Sequence, residues 1–463
     1  MKPHLTLVNP PAPKGATGHL PFALLGLGYL AAVLEKNQYE VDVIDCQVLN
    51  LSYEEFKSEL GKRQPNIVGI TSTTLTYKSG LQIAKIAKEA YPNCLTVMGG
   101  PHVTFWDNEA LQECPSLDVI VRREGEYTLL ELVQKVETDK SYHYVTGTTC
   151  RKDGKIVRNP ERPYIEDLDS LPFPAHHLWP IESLRKYGKV IYPLTTSRGC
   201  VYWCDFCTAV RMFGRKYRMR SPKNVVDELE FLHNTYQADQ FTFYDDAFTV
   251  DQHRAEELCA EIRKRKLKIK WDCETRVDMV TKELLLKMRQ AGCIAVWFGV
   301  ESGSQRVIDA MSKGISITQT ERAVKWAKEV GLMTVTSAIL GFPGETKESA
   351  WETIKFVEKM DPDDVGYYIA TPYPGTPMYD LVKEKGWLKT NDFDKYDTAT
   401  PVFETPTLTV QELREIREQA FQRFYLRPTH ILHILSKGGL YGFSLTRTAL
   451  AHYLRAIKSK LSL

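Results

Sequence analysis

Cys200, Cys204 and Cys207 stand in the stretch Thr-Ser-Arg-Gly-Cys-Val-Tyr-Trp-Cys-Asp-Phe-Cys, a C-x3-C-x2-C spacing. Three thiolates this close together can hold three irons of a 4Fe–4S cube and leave the fourth iron without a protein ligand. An open metal position can take a substrate, as the free position of a catalytic zinc does. A cluster that only carries electrons ordinarily has four cysteines, so the missing ligand points to chemistry. The competing readings are a structural zinc site and three buried thiols. Zinc usually takes four ligands in two separated pairs, and no second C-x2-C follows. The other seven cysteines are scattered, mostly in apolar runs, and read as buried free thiols.

Two further sets of polar residues fall at the ends of apolar, β-rich runs. In the second half these are Asp245-Asp246, Glu274 and Arg276, Glu301-Ser302, and the turn Gly341-Phe342-Pro343-Gly344-Glu345. Such groups can hold a polar ligand by charge and hydrogen bonding. A strand-end Asp is also a common helix cap, and Glu301 can pair with Arg276 as structural glue. In the first 140 residues the set is Asn9-Pro10-Pro11, Ser72-Thr73-Thr74, Gly99-Gly100-Pro101-His102 and Arg123-Glu124-Gly125-Glu126. Paired glycines let a backbone approach a large flat ligand, and Ser and Thr offer short donors to its edge. No G-x-G-x-x-G follows the first strand, which argues against a dinucleotide. The alternative is a Rossmann-like domain that binds nothing, or a different ligand.

C-x3-C-x2-C with an aromatic, Phe206, before the last cysteine resembles the signature of the radical S-adenosylmethionine (SAM) superfamily. The small-residue loops ahead of it resemble those of the cobalamin-binding domain fused to many such enzymes. Residues 1 to about 385 are thus similar to the cobalamin-dependent radical SAM enzymes, among them the anaerobic Mg-protoporphyrin monomethyl ester cyclase and the radical SAM C-methyltransferases. The resemblance implies a 4Fe–4S cluster on Cys200, Cys204 and Cys207. It implies SAM at Asp245, Asp246, Arg276, Glu301, Ser302 and Gly341. It implies cobalamin along Asn9, Ser72, Thr73, Gly99, Gly100, His102, Glu124, Gly125 and Glu126. The Asp-x-His-x-x-Gly of cobalamin-dependent mutases is missing, since Asp45–Asn50 contains no His. Cobalamin is therefore expected without a protein imidazole on cobalt, and His102 at the corrin edge or packed in its turn.

The implied reaction is methylation of an unactivated carbon, through methylcobalamin and a 5′-deoxyadenosyl radical. The alternatives are a cyclase or ring-rearranging reaction on a tetrapyrrole or lipid, a methylthiotransferase, and a corrinoid carrier without catalysis. Cys46, Cys94 and Cys114 are too scattered for the second cluster a methylthiotransferase carries. The implied partners are a small-molecule, lipid or tetrapyrrole substrate and an external electron donor of flavodoxin or ferredoxin type.

The elements that must position these residues alternate strand and helix twice. Residues 1–140 read as an α/β unit, a doubly wound parallel sheet with its ligand at the carboxyl ends of the strands. Residues 141–189 read as a proline-rich strap. Residues 190–385 read as six β/α units of a partial barrel, with chemistry at the strand ends. Residues 386–463 read as a helical region. The helix expected at Leu408–Arg427, capped by Thr409, begins it. Beyond Gln422 every charge is basic, so the tail can lie on an anionic membrane or pack as a solvated face on the barrel. A chain of 463 residues with net charge +2 gives no global argument for nucleic acid. Its first apolar run is too short for a signal peptide, and the expectation is a cytoplasmic protein.

Overall fold

The computed structural model describes residues 2–13, 23–428 and 430. Short runs such as Ile-Val-Gly-Ile-Thr and Leu-Thr-Val-Met-Gly are apolar on both faces, as strands covered by helices on both sides must be. They build a seven-stranded sheet from β1 (Leu5–Asn9), β2 (Val41–Asp45), β3 (Ile67–Thr71), β4 (Leu95–Gly99), β5 (Val119–Val121), β6 (Thr148–Lys152) and β7 (Lys155–Arg158). Its order is β2-β1-β3-β4-β5-β6-β7, with the first five strands parallel. The connections reverse direction between β1 and β3, which opens a crevice at the carboxyl ends of the strands there.

The second sheet is formed by β8 (Tyr192–Leu194), β11 (Gln240–Phe243), β12 (Lys270–Thr275), β13 (Cys293–Glu301), β14 (Met333–Leu340) and β15 (Asp364–Ile369). All six strands are parallel and stand in chain order, the wall of a half-barrel. The two-residue strands β9 (Ser197–Arg198) and β10 (Arg218–Met219) pair antiparallel and clamp the base of the cysteine loop. Outer helices start on side-chain caps: Ser221 for Pro222–Tyr236, Ser316 for Ile317–Glu329 and Thr346 for Lys347–Met360. These caps fix where each strand-end loop stops.

The stretch expected to be strap, 141–189, is strap only in part. β6 and β7 form a hairpin through Asp153-Gly154, both at positive φ, and it pairs with β5 to extend the first sheet. The edge of β5 needs a partner, and two residues at positive φ make the turn that supplies one. The proline-rich remainder lies across the helix Leu25–Lys36. The Ala175 N–H donates to the Gly28 carbonyl at 3.0 Å, and a Cβ on Gly28 would stand 2.9 Å from Pro174.

The helix Val410–Tyr425 carries a capping box of Thr409 and Glu412 and packs on the outer face of β15. Phe421 meets Tyr367 edge-on at 5.4 Å, and the Tyr425 hydroxyl donates to the Val365 carbonyl at 3.0 Å. Between residue 386 and this helix the chain is largely irregular, with two isolated β-bridges. Most of the basic tail lies outside the described residues. Among the described residues no helix is long and apolar enough to cross a membrane.

Candidate active site

Cys200, Cys204 and Cys207 face one cavity of about 470 Å³ at the carboxyl ends of the half-barrel strands. Burial pushes all three thiols up, Cys207 to about 12. Two cations oppose that cost. Arg276 sits at the end of β12, with Nη1 3.9 Å from the Cys204 sulfur and its guanidinium 3.4 Å from the Tyr202 ring centroid. Asp278 holds the same guanidinium at 3.0 Å and the Lys313 carbonyl accepts from it at 2.8 Å. Lys313 reaches in from the loop after the short helix Gln305–Ala310 and pairs with Glu301.

The backbone of Glu301 explains its aim. The register of β13 against β14 shifts between Gly299 and Glu301, and Glu301 takes φ +61, a left-handed value for a non-glycine residue. Such a bulge re-aims a side chain at a strand end, and here it points the carboxylate into the cavity. Asp246 and Glu274 join it on the same wall. Burial, and after it neighbouring carboxylates, raise Asp246 to about 6 and Glu274 to about 7. The thiols thus share one cavity with two cations, Arg276 and Lys313, and three carboxylates, Asp246, Glu274 and Glu301.

A second cavity, of about 380 Å³, opens on the crevice of the first sheet. Its floor is the carboxyl end of β3 to β5, with Gly69, Thr71, Gly99, Gly100 and Val121. Pro193, Thr195, Ser197, Arg198, Met212, Phe213 and Tyr244 of the half-barrel close it from the other side. Arg198 crosses between the two sheets, donating to Glu124 at 3.0 Å and to Glu126 at 2.6 Å. Arg218 meets the same Glu124 at 2.8 Å. All four side chains are buried. Asp246 lines both cavities, so one side chain stands between them.

Residues 16–133 match the B12-binding domain model and residues 194–357 the radical SAM superfamily model. An uncharacterized methyltransferase of Pyrococcus horikoshii is 37% identical over 404 residues, covering 87% of this chain and 88% of that one. The anaerobic magnesium-protoporphyrin IX monomethyl ester cyclase of Rubrivivax gelatinosus is 33% identical over 423 residues, 89% of this chain and 75% of that one. The solved structure of the cobalamin-dependent SAM radical enzyme OxsB with aqua-cobalamin superposes with a TM-score of 0.78 at 20% identity, over 98% of this chain and 72% of that one. The chain belongs to the cobalamin-dependent radical SAM enzymes. Its cofactors are accordingly a 4Fe–4S cluster, SAM and cobalamin.

The residues present fit these groups. Three thiols on one cavity, with two cations beside them, are a donor set for an anionic iron–sulfur cluster. No group of three His, Cys, Asp or Glu among the described residues gathers on one point as a single metal ion requires, and a cluster asks each thiolate for a different iron. The second cavity offers a largely apolar floor with glycines in it and polar groups at its rim, as a broad planar macrocycle needs.

Within the enzyme the expected contact residues divide. Arg276, Glu301 and Asp246 face the thiol cavity, and Gly99, Gly100, Glu124, Gly125 and Glu126 face the second one. Seven others are turned elsewhere. Asp245 is spent on the β8 loop, accepting from the Thr196 N–H at 2.6 Å and the Ser197 N–H at 3.1 Å. Ser302 bonds Thr353 at 2.9 Å and pins a helix. Gly341, at φ +87, lies under Leu413, which an added Cβ would meet at 2.7 Å. Asn9 bonds Asp45 at 2.8 Å and locks β1 to β2. Ser72 and Thr73 close their own turn, Thr73 bonding Thr76. His102 sits on the one-turn helix Pro101–Thr104 and points inward, its ring tilted against Tyr77 at 4.3 Å and edge-on to Phe393 at 4.6 Å. Its Nδ1 lies 3.1 Å from the Thr74 hydroxyl, and burial lowers its pKa to about 3. It packs in its turn and does not line the second cavity. Lys313 and Arg198 went unnoticed as site residues. For Arg198 the signal was its place two residues before Cys200, whereas Lys313 carried none.

Proposed function

We propose that the enzyme transfers a methyl group to an unactivated carbon of a small molecule, held where the two chambers meet. The observation that carries this is the shared wall: the thiol chamber and the glycine-floored chamber are separated by Asp246. When bound, the cluster with SAM supplies one-electron bond cleavage and the corrinoid supplies the methyl group. The chain's own part is placement and exclusion of water. Arg276 and Lys313 balance negative charge at the thiols, Glu301 and Glu274 offer acceptors to an ammonium or a ribose, and Trp297, Phe298 and Tyr368 give the chamber an aromatic lining. Lipids and tetrapyrroles are the substrate classes this apolar lining suits, and a reductant from outside is required. The test is anaerobic turnover of the cofactor-loaded enzyme with candidate substrates, read by mass spectrometry. Addition of one CH2 from labelled SAM supports the reading, and a product with no SAM-derived methyl overturns it.

The identity to the cyclase of Rubrivivax gelatinosus favours a second reading, ring formation on a tetrapyrrole. The same mass measurement separates the two, since ring formation adds no methyl group.

A further inference from the structure

The loop that carries the three cysteines also breaks the protein surface. Trp203, between Cys200 and Cys204, is 46% exposed, and Val201 beside it is 38% exposed. Two guanidiniums bracket the indole: Arg211 lies 4.4 Å and Arg215 5.6 Å from its centroid. Arg211 also donates to the Cys207 carbonyl at 3.0 Å, which ties the patch to the last of the three cysteines. Asp205, which accepts from the Ser312 hydroxyl at 2.9 Å, and Asp380 both act on Arg211, and Glu166 is taken by Lys216. Arg215 has no ion-pair partner among the described residues, so the cation beside the indole that remains uncompensated is Arg215.

An exposed Trp flanked by Arg has the composition of the energetic centre of a protein interface. The sign of the charge selects an acidic partner, because complementary potentials steer encounter and suppress wrong partners. Its place selects a redox partner. Electron transfer weakens steeply with distance, and here the loop that holds the thiols meets solvent.

We propose that Trp203, Arg211 and Arg215 form the docking surface for an acidic one-electron carrier protein of the flavodoxin or ferredoxin type. The inference rests on the reading that Cys200, Cys204 and Cys207 hold a 4Fe–4S cluster. The step balances simply: the carrier loses one electron, the cluster gains it, and no proton or group is transferred.

The test compares two reductants on the cofactor-loaded full chain. Reduced flavodoxin needs a docking surface, whereas dithionite does not. Arg215→Glu is expected to slow flavodoxin-supported SAM cleavage about tenfold and to leave the dithionite-supported rate unchanged, with Arg215→Lys restoring most of the loss. Binding is read separately, by line broadening of isotope-labelled flavodoxin titrated with the enzyme. Broadening is expected with the native chain, weaker at high salt, and absent with Arg215→Glu or Trp203→Ala. Equal broadening and equal flavodoxin-supported rates in the native chain and Arg215→Glu overturn the proposal. So does a native dimer that Trp203→Ala dissociates, which assigns the patch to a second copy of the chain. A native enzyme that cleaves no SAM even with dithionite instead fails the cluster reading and removes the basis of the proposal.

Discussion

Two buried side chains show how far environment moves chemistry from composition. Glu345 is fully buried in the turn after β14, accepts the Gly341 N–H, and has one carboxylate oxygen without a partner. Burial raises its pKa to about 8. The folded chain therefore holds this proton more tightly than the unfolded chain does. Its contribution to stability is complete below about pH 4.5 and is lost as pH rises through about 8. Glu345→Gln should accordingly flatten the fall in Tm between pH 5 and 9, with the variant gaining on the native chain as pH rises. Thermal unfolding of the cofactor-free protein across that range checks it. His102 is the second case. With its ring packed between Tyr77 and Phe393 it serves as an aromatic packing residue. His102→Phe should keep corrinoid binding, cost about 1 kcal/mol for the lost Thr74 hydrogen bond, and leave the nitrogen couplings in the electron paramagnetic resonance of the cobalt(II) form unchanged. The sequence placed His102 in the right loop, but its direction depends on Phe393, almost three hundred residues away.

At the scale of elements, the alternation of strands and helices was legible because each strand is a short apolar run between capping or turn residues. The helices Tyr77–Ala90, Gln252–Lys264 and Lys347–Met360 each fall between two such runs. The partners of strand-end residues were not legible, because each loop is filled by whichever distant element packs on it. Gly341 illustrates this. The family resemblance assigns it to SAM, and Leu413 of the C-terminal helix occupies the space a side chain there would need. Leu413 is almost wholly buried, in a cluster with Leu340, Ile416 and Phe421. Leu413→Ala should cost about 2–5 kcal/mol by leaving a cavity under that helix, measured by denaturant unfolding. SAM cleavage by the surviving folded fraction should change little, since the helix supports the half-barrel from outside.

Across the whole molecule, the two sheets are joined by buried charge as well as by apolar contact. Arg198 belongs to the strand that leads into the cysteine loop, and its carboxylate partners follow β5, Glu124 in the loop and Glu126 at the start of the helix Glu126–Thr138. Arg198→Ala leaves Glu126 buried without its cation, while Glu124 keeps Arg218. Losing one member of such a pair costs about 3–5 kcal/mol. The expected result is a lower Tm together with weaker corrinoid retention on gel filtration, and Arg198→Lys should recover part of both. The pairing joins residues more than seventy positions apart, so neither half of the chain announces it alone. The glycine-floored chamber has a further consequence, because its walls come from both sheets. A corrinoid seated there is mortar between two bricks: only the closed arrangement offers the full set of contacts, so mass action favours closure. At free cobalamin a hundred times its dissociation constant, the closed chain gains about 2.7 kcal/mol. Cells starved of corrinoid should then hold a looser protein, more open to proteases. Hydrogen exchange should slow on both walls together, Gly99–Gly100 and Thr195–Arg198, as cobalamin is titrated in. Protection that appears on the first wall alone would mean that the seam closes without it.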